Sequence, residues 1–357
     1  MNITIVNKHR EDVLGGSELQ CDFIATELVK REHNVKYIAP KGNKEVYDAQ
    51  YEVITCENKG FEISKKIIES RPNIVYWRYN KHHLYSVMSS LKKEGLPVVF
   101  AASSVNDVNP WFGKKKSRLR SFIKNLVKSH WNHFGIKMAN AVTVNNPEYL
   151  KMLPVAKQYY IPNGMISDYK DFEWKKPYCA WVSNIKQIKR PEKLIELAKM
   201  FLKEDIDFIM VGDIQERDYH WIHDVKSLAD NVHYLGIKTP EEVNGIFKSA
   251  LMHIHTCYPE GFPNVFIQSW MQGTPSVSLG FDPGGYLESE EMGYSANENM
   301  HEFRKFVDLL IGNDILRKQL GDNASRFAHD MFRIEKAVDK LEVIFSEMND
   351  LKINGTN

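Results

Sequence analysis

Residues 259–277 combine an acidic side chain, a glycine turn and the start of a helix, a pattern suited to binding a polar, phosphorylated ligand. A strand predicted to end near His255 is followed by this turn and by a helix that begins near Asn264. The free amides and the dipole of a helix N-terminus favour a phosphate there. Glu260 precedes the helix and can accept hydrogen bonds from ligand hydroxyls, whereas Gln268 lies about two turns into it. The spacing predicts an extended ligand with one polar end at each side chain.

The elements that must position these residues alternate along the whole chain. Short apolar runs followed by segments of helical period predict two doubly wound, Rossmann-like α/β domains with mostly parallel sheets, which bind ligands at the carboxyl ends of their strands. The turn Ile161-Pro162-Asn163-Gly164 and the irregular stretch up to residue 177 predict the linker. We expect domains at residues 1–162 and 163–333 facing a central crevice. A helix at residues 334–357, with one apolar stripe, is expected to pack back towards the first domain.

Two local patterns carry further expectations. Ser17-Glu18-Leu19-Gln20 has the spacing of a capping box at the start of the first helix. His253 and His255 alternate on an apolar strand and lack a third ligand at metal spacing, so we interpret them as core or supporting residues.

Length and composition restrict the class of protein. The chain has 357 residues, of which 43% are hydrophobic and 26% charged, as expected of an ordinary globular protein with two domains. Its 47 basic and 46 acidic side chains give a net charge of +1, which disfavours a nucleic-acid partner. Four cysteines without a C-x-x-C pair indicate neither a zinc ribbon nor a disulfide scaffold. The first residues resemble a strand rather than a signal peptide, and no apolar run approaches the ~18 residues of a membrane span. We therefore expect a cytoplasmic protein.

The stretch from residue 259 to 277 resembles the Glu-x7-Glu signature of retaining GT-B glycosyltransferases, in particular glycosyltransferase family 4 (glycosyl transferases group 1). Further motifs extend the resemblance over nearly the whole chain: Gly15-Gly16-Ser17, Ile161-Pro162-Asn163-Gly164, Lys189-Arg190-Pro191, Val211-Gly212-Asp213 and Val232-His233-Tyr234-Leu235-Gly236. The resemblance implies retaining, hexosyltransferase-class transfer from a nucleotide-sugar donor, a UDP- or GDP-sugar. The implied acceptor is a glycan or a lipid-linked molecule in polysaccharide or glycoconjugate biosynthesis.

The resemblance also implies roles for individual residues. Glu260 would bind the hydroxyls of the donor sugar and Lys189 would neutralise the leaving diphosphate, which makes these two the candidate catalytic residues. Gly16 would let a loop approach the phosphates, and the backbone near Ile237 would contact the base. The other candidate donor-binding residues are Gly15, Asn184, Gly212, Gly261, Phe262, Pro263, Asn264, Val265 and Gln268. No cofactor and no metal is expected, and Asp205-Ile206-Asp207 is interpreted as structural.

The chain departs from the family pattern at three places. Gln268 replaces the second glutamate, and Asn184 replaces the arginine usually paired with Lys189. The strand that often ends in a histidine on the acceptor side ends here in Ser103-Ser104-Val105-Asn106-Asp107. The candidate acceptor-side residues are therefore Ser103, Asn106, Asp107 and Arg78. A catalytically weak or silent GT-B partner subunit, or another nucleotide-sugar enzyme such as an epimerase, is the alternative.

A basic segment precedes the sixth predicted strand. Residues 108–147 contain no acidic side chain and eight basic ones: Lys114, Lys115, Lys116, Arg118, Arg120, Lys124, Lys128 and Lys137. Because 1 − 8 = −7, the rest of the chain carries a net charge of −7. One reading is a helix packed on the sheet with a solvated basic face. The other is that residues 111–137 meet an anionic membrane surface, which would place the protein on the inner face of the membrane.

Overall fold

The computed structural model describes residues 1–13, 15–79, 83–108, 131, 133–153, 155, 157–224, 228–258 and 262–354, with residues 105, 106 and 352–354 described by backbone alone. The chain divides into two compact units. The amino-terminal unit comprises Met1–Gly164 and Ile334–Asn357, and the carboxy-terminal unit comprises Met165–Arg333. Each unit contains a parallel sheet with helices and a hydrophobic core of its own, so the predicted fold class of two Rossmann-like α/β domains is confirmed.

The strands are β1 (Asn2–Val6), β2 (Asn34–Pro40), β3 (Glu52–Cys56), β4 (Ile74–Trp77), β5 (Val98–Ala102), β6 (Ala141–Val144), β7 (Gln158–Tyr160), β8 (Tyr178–Val182), β9 (Asp207–Val211), β10 (Val232–Tyr234), β11 (Met252–His255), β12 (Ser276–Ser278) and β13 (Gly293–Ser295).

The helices are α1 (Gly16–Lys30), α2 (Gly60–Glu69), α3 (Leu84–Lys93), α4 (Val105–Val108), α5 (Pro191–Lys199), α6 (Pro240–Ser249), α7 (Asn264–Met271), α8 (Tyr286–Ser289), α9 (Met300–Gly312), α10 (Asp314–Met331) and α11 (Ile334–Asn354).

Both sheets are parallel throughout. The amino-terminal sheet has the order β3-β2-β1-β4-β5-β6-β7, and the carboxy-terminal sheet has the order β10-β9-β8-β11-β12-β13. The central strands β4, β5, β6 and β9 are buried at every position. Continuous apolar runs of this kind are expected of strands that are covered by helices on both faces. All strands of one sheet therefore end at the same edge, where the candidate site residues follow them.

The start of α1 differs from the prediction, because the capping box at Ser17 does not form. Gly15 is the N-cap residue and no side chain caps the helix. The Ser17 hydroxyl instead accepts a hydrogen bond from Asn7 Nδ2 at 3.1 Å. The fully buried Gln20 amide donates to the carbonyl oxygen of Gly164 at 2.7 Å and accepts from its N–H at 2.9 Å. Two good long-range hydrogen bonds thus replace the local bond that the spacing suggested.

The segment after Gly164 has no regular structure, as predicted. It packs on the rest of the carboxy-terminal unit. Asn244 of α6 donates from Nδ2 to the carbonyl oxygens of Ile166 and Asp168 at 3.2 and 2.8 Å. The N–H of Lys170 donates to the carbonyl oxygen of Glu241 at 2.9 Å. Because several residues of the segment make these hydrogen bonds, the segment is attached to α6.

Helix α11 buries its apolar stripe within the amino-terminal unit. The predicted stripe residues are all buried: Ile334, Ala337, Val338, Leu341, Ile344, Phe345 and Met348. Arg31, just after α1, donates from Nη1 to carboxylates of Asp339 and Glu342 at 2.7 and 2.6 Å. His33 Nε2 lies 2.7 Å from the other carboxylate oxygen of Glu342. An apolar face and a charged edge together fix α11 against α1.

Candidate functional site

Three donor-site candidates from separate motifs lie at the ends of the adjacent strands β8, β9 and β10. Gly212 follows β9 with a φ of 148°, and a Cβ at this position would overlap the carbonyl of Ser183 and approach the N–H of Asn184. The N–H of Gly212 donates to the carbonyl of Gly236 at 3.0 Å, one residue before Ile237. Such close backbone approach requires glycine. The structure therefore brings Asn184, Gly212 and Ile237 to one edge of the sheet.

A cavity of about 670 Å³ runs along the edge strand β10. Its described lining includes Trp174, His223 and Tyr234, and it reaches Asp213 and Ile237 at the carboxyl end of the strands. Ile237 is 58% exposed, so its side chain is not part of the core. The volume lies in the range of small-molecule sites, and aromatic and histidine rings suit a planar ligand group.

Lys189 ends a 3-10 turn, Gln187–Lys189, that follows β8. Its carbonyl oxygen accepts a hydrogen bond from Thr256 Oγ1 at 2.7 Å, and Thr256 Oγ1 accepts in turn from Trp181 Nε1 at 2.9 Å. Thr256 is the first residue after β11 and is fully buried. The lysine loop is thus attached to the end of the neighbouring strand, the strand that leads towards Glu260.

Two buried histidines lie on β11 beside this loop. His253 Nδ1 is 3.1 Å from Ser276 Oγ, and His255 Nδ1 is 3.3 Å from Ser278 Oγ. Burial lowers the pKa of His253 to about 3. The pKa of His255 is lowered well below its usual value, chiefly by burial and further by the positive charges of Lys189 and Arg190. Both rings are neutral at physiological pH and support the sheet, in agreement with the interpretation of these residues as core residues.

Helix α7 begins at Asn264, as predicted, with Pro263 at its N-cap. No described side chain caps it, and its first turn contains no acidic residue. Phe262 packs on Phe332 and Trp270, with ring centroids 5.3 and 6.5 Å apart, and Val265 packs against the core beside α6. Glu260 and Gly261 lie outside the described residues, and their predicted roles stay predictions.

Gln268 is buried, with 5% of its surface exposed. Its Nε2 donates to Oδ1 of Asn244 at 3.2 Å, while Asn244 Nδ2 binds the carbonyls of Ile166 and Asp168. The glutamate usual at this position has no N–H to donate. The side-chain amide of Gln268 can donate to Oδ1 of Asn244, whereas a carboxylate could not. This difference gives a structural reason for the departure from the family pattern.

The glycine loop of the amino-terminal unit is covered by an acidic side chain. Gly15 is extended and Gly16 is the first residue of α1. The Glu18 side chain folds back so that a Cβ at residue 15 would meet its carboxylate. Burial raises the pKa of Glu18, which opposes the ionised form at this helix N-terminus. Any phosphate that approached Gly16 would meet this carboxyl group.

The candidate acceptor-side residues follow the neighbouring strands β4 and β5. Arg78 is 9% exposed and donates from Nη2 to Asn163 Oδ1 at 2.8 Å. Asp107 Oδ2 accepts from the N–H groups of Ser103 and Ser104, both at 2.9 Å, and from the Ser104 hydroxyl at 3.0 Å. Asp107 thus holds the turn after β5 and has a structural role. The side chain of Asn106 lies outside the described part of the chain.

The predicted membrane segment, residues 111–137, falls largely outside the described residues, which here include only 131 and 133–137. Trp131 and Phe134 are about half exposed, and Lys137 Nζ lies 5.2 Å from the centre of the Phe134 ring. The surface proposed for this segment stays a prediction.

Two negative findings concern the described residues only. None of the described helices has the length and apolar character needed to cross a membrane. Within the same residues, no three histidine, cysteine or acidic side chains are grouped so that they could hold a metal ion. Asp207 of the Asp-x-Asp sequence accepts a hydrogen bond from Trp174 Nε1 at 2.8 Å, and Asp205 pairs with Lys176 at 3.0 Å. Both carboxylates therefore have structural partners.

Sequence reasoning missed four residues that organise the site: Asn244, Thr256, Arg190 and Glu298. Each acts through a partner distant in sequence, such as Thr256 through Lys189 and Arg190 through Glu298. No pattern in the sequence marks these residues, because the left-handed backbone of Arg190, with a φ of 49°, is visible only in the structure.

The chain is similar to known glycosyltransferases in sequence and in fold. Residues 165–327 match the family model described as glycosyl transferases group 1. An uncharacterized glycosyltransferase of Haemophilus influenzae is 22% identical over 365 residues, which cover 91% of this chain and 95% of that protein. A poly(ribitol-phosphate) alpha-N-acetylglucosaminyltransferase of Staphylococcus aureus is 25% identical over 173 residues, 46% of this chain and 34% of that protein.

A solved structure of similar fold is HepE of Anabaena in complex with UDP-glucose. Its TM-score is 0.76 at 15% identity, with 97% of this chain and 100% of that chain covered. This similarity supports the GT-B fold, and the family match supports the activity class. The chain therefore has the GT-B fold, and its residues 165–327 match the family model of glycosyl transferases group 1.

Proposed function

We propose that this protein is a retaining glycosyltransferase that moves a hexose from a UDP- or GDP-sugar to a glycan or lipid-linked acceptor. The acceptor would belong to polysaccharide or glycoconjugate biosynthesis. HepE binds UDP-glucose, and the name of the S. aureus relative states alpha-N-acetylglucosaminyl transfer. Both statements favour a UDP-sugar as the first donor to test.

One observation carries this proposal: the carboxyl ends of β8 to β11 hold the lysine loop, the glycine turn at Gly212 and the segment leading to α7 at one sheet edge. Lys189 and the N-terminus of α7 would offer positive potential to a diphosphate. The cavity beside Ile237 offers space for the base.

The chemistry then rests on stabilising the departing nucleoside diphosphate. The ammonium group of Lys189 would approach the phosphate oxygens as charge develops on them, and helix α7 would direct its first amides towards the same group. Glu260 would bind hydroxyls of the sugar and orient it. These residues need no metal ion for leaving-group stabilisation, so the proposed transfer is metal-independent.

On the acceptor side, Arg78, Ser103 and Asn106 are the proposed contacts, and Asp107 holds the turn to which Ser103 belongs. We also propose a cytoplasmic location with reversible attachment to an anionic membrane through residues 111–137. At about 1 kcal/mol per cation near such a surface, four or five outward charges would suffice. Salt-insensitive failure to sediment with anionic vesicles would contradict the attachment.

Donor binding and donor hydrolysis test the function without knowledge of the acceptor. Titration calorimetry with UDP-glucose, UDP-N-acetylglucosamine, GDP-mannose and ADP-glucose should identify one binding nucleotide sugar. The Lys189→Ala variant should lose about 100- to 1,000-fold in the rate of nucleotide release. Lys186→Ala, three residues earlier in the same loop, is the matched control and should retain the rate. NMR of the first sugar released should show the anomeric configuration of the donor.

The alternative is a catalytically weak or silent partner subunit. The hydrogen bond from Gln268 to Asn244 favours it specifically, because Nε2 of Gln268 has a partner within the protein. This alternative would be supported if none of the four donors bound and if Lys189→Ala released nucleotide at the same rate as the wild type.

A further inference from the structure

Arg190 has a backbone conformation that is unfavourable for an arginine. It lies between the 3-10 turn Gln187–Lys189 and helix α5, with φ 49° and ψ 55°, in the left-handed region. Residues other than glycine are strained in this region. They persist there only where the surrounding structure determines their conformation. The side chain of Arg190 supplies the interactions that compensate.

The guanidinium of Arg190 makes three charged hydrogen bonds. Its Nη1 and Nη2 donate to the two carboxylate oxygens of Glu298 at 2.6 and 2.9 Å, and its Nε donates to the carbonyl oxygen of Thr256 at 2.6 Å. A bidentate pair of this kind fixes orientation as well as distance. Glu298 is itself in the left-handed region, with φ 65°, and its N–H donates to the carbonyl of Leu279 after β12. Arg190 therefore connects the chain segments that follow β11, β12 and β13.

Thr256 is held from both sides by the lysine loop. Its hydroxyl donates to the carbonyl of Lys189, and its carbonyl accepts from Arg190. The two bonds fix where the chain leaves β11 relative to Lys189. Since Glu298 already neutralises the guanidinium, Arg190 is not available as a free cation for phosphate. Its effect must pass through Thr256 and the backbone of Lys189.

We propose that Arg190, locked by Glu298, is a positioning residue that holds Lys189 and the chain after β11 in the geometry needed for sugar transfer. This inference rests on the proposed function, in which Lys189 stabilises the leaving diphosphate. A displacement of about 1 Å in a catalytic group can cost about 100-fold in rate. The loss should therefore appear in kcat rather than in stability.

The Arg190→Gly variant separates the side chain from the backbone, because glycine adopts a φ of 49° without strain. We expect its melting temperature to stay near that of the wild type. Its kcat for nucleotide release from the donor should fall about 10- to 100-fold, with the donor KM changed less than about threefold. Arg190→Lys, which cannot bind Thr256 and both carboxylate oxygens together, should recover only part of the rate.

The partner and a control complete the test. Glu298→Gln should lower kcat in the same direction, and the double variant Arg190→Gly/Glu298→Gln should be no slower than the slower single variant, since both act through one network. Lys193→Ala, which breaks an ion pair with Glu196 on α5, is the matched control and should leave kcat unchanged.

Four results would overturn the inference. Unchanged kcat in Arg190→Gly, in a protein whose Lys189→Ala variant is impaired, would show that the lysine needs no such support. A loss confined to melting temperature, or additive losses in the double variant, would show a purely structural pair. If the wild-type protein neither binds nor hydrolyses any donor, the proposed function fails first and the inference fails with it.

Discussion

The Nε2 group of Gln268 donates a hydrogen bond to Oδ1 of Asn244 across 3.2 Å, and both side chains are buried. The other end of Asn244 binds two backbone carbonyls of the segment after Gly164, at Ile166 and Asp168. A residue expected to bind the nucleotide-sugar donor is thus also a structural link between α7 and α6. Residue 268 departs from the family pattern, and its hydrogen-bond partner, Asn244, lies 24 residues away in sequence.

Replacing Gln268 by glutamate should destabilise the protein. The carboxylate would face Asn244 Oδ1 with no N–H between them, and Asn244 cannot turn without losing its two backbone bonds. We expect the free energy of unfolding to fall by about 1–3 kcal/mol, the usual cost of a buried unsatisfied polar group. Urea denaturation checks this, with exposed Gln319→Glu on α10 as the control. Equal stability of the two variants would contradict the assigned role.

Two glycines at adjacent strand ends should respond differently to alanine. At Gly236 the left-handed φ of 71° is the only obstacle, since an added Cβ meets nothing within 4 Å. We expect Gly236→Ala to cost about 1 kcal/mol. Gly212→Ala would also drive the Cβ into the Ser183 carbonyl, so it should cost several times more or prevent folding. Soluble yield and melting temperature of the two variants decide the order, and a reversed order would be inconsistent with the backbone contact.

Acidification should weaken the carboxy-terminal unit through His253 and His255. Their folded-state pKa values are lowered by burial, whereas the unfolded chain binds protons below about pH 6.5. Stability from these groups is therefore complete above pH 6.5 and falls as the pH falls below it, by roughly 1 kcal/mol per histidine per pH unit. Urea titrations between pH 5 and pH 8 measure the slope.

A matched pair of double variants isolates this contribution from that of the carboxylates. His253→Asn/His255→Asn should flatten the dependence on pH, even if it lowers the stability at pH 8. His220→Asn/His223→Asn, at exposed positions, should leave the slope unchanged. Identical slopes in the wild type and the first double variant would rule out the buried histidines as the cause.

Arg31 should be the main polar anchor of α11. Arg31→Ala removes charged hydrogen bonds to Asp339 and Glu342 and one to the carbonyl of Glu335, at 3.0 Å. A network around a partly exposed guanidinium contributes more than an isolated surface pair, so we expect a loss of about 1–2 kcal/mol. Lys30→Ala, at the exposed neighbouring position, is the control. Hydrogen exchange that is faster in α11 of Arg31→Ala than in α11 of Lys30→Ala would show that the loss is local. The loss should shrink at high salt.

The amino-acid sequence by itself determined the alternation of strands and helices, the apolar stripe of α11 and the glycine turns at the ends of β9 and β10. These features depend on local periodicity and on backbone conformations that few residues adopt, so they are readable without partners. The three-residue edge strands β7 and β13 were missed, because three residues are too few to show a period. Topology, through the parallel sheets, then placed the motif residues at common strand ends.

Only the tertiary structure decided which partner each polar side chain has. Ser17 and Gln20 have the spacing of a local cap, yet Gln20 binds Gly164, 144 residues away. Gln268 binds Asn244, and Arg190 binds Thr256 and Glu298, which lie 66 and 108 residues away from it. A buried polar group takes whichever partner the packing of distant segments brings within hydrogen-bond distance, and no spacing along the chain encodes that choice.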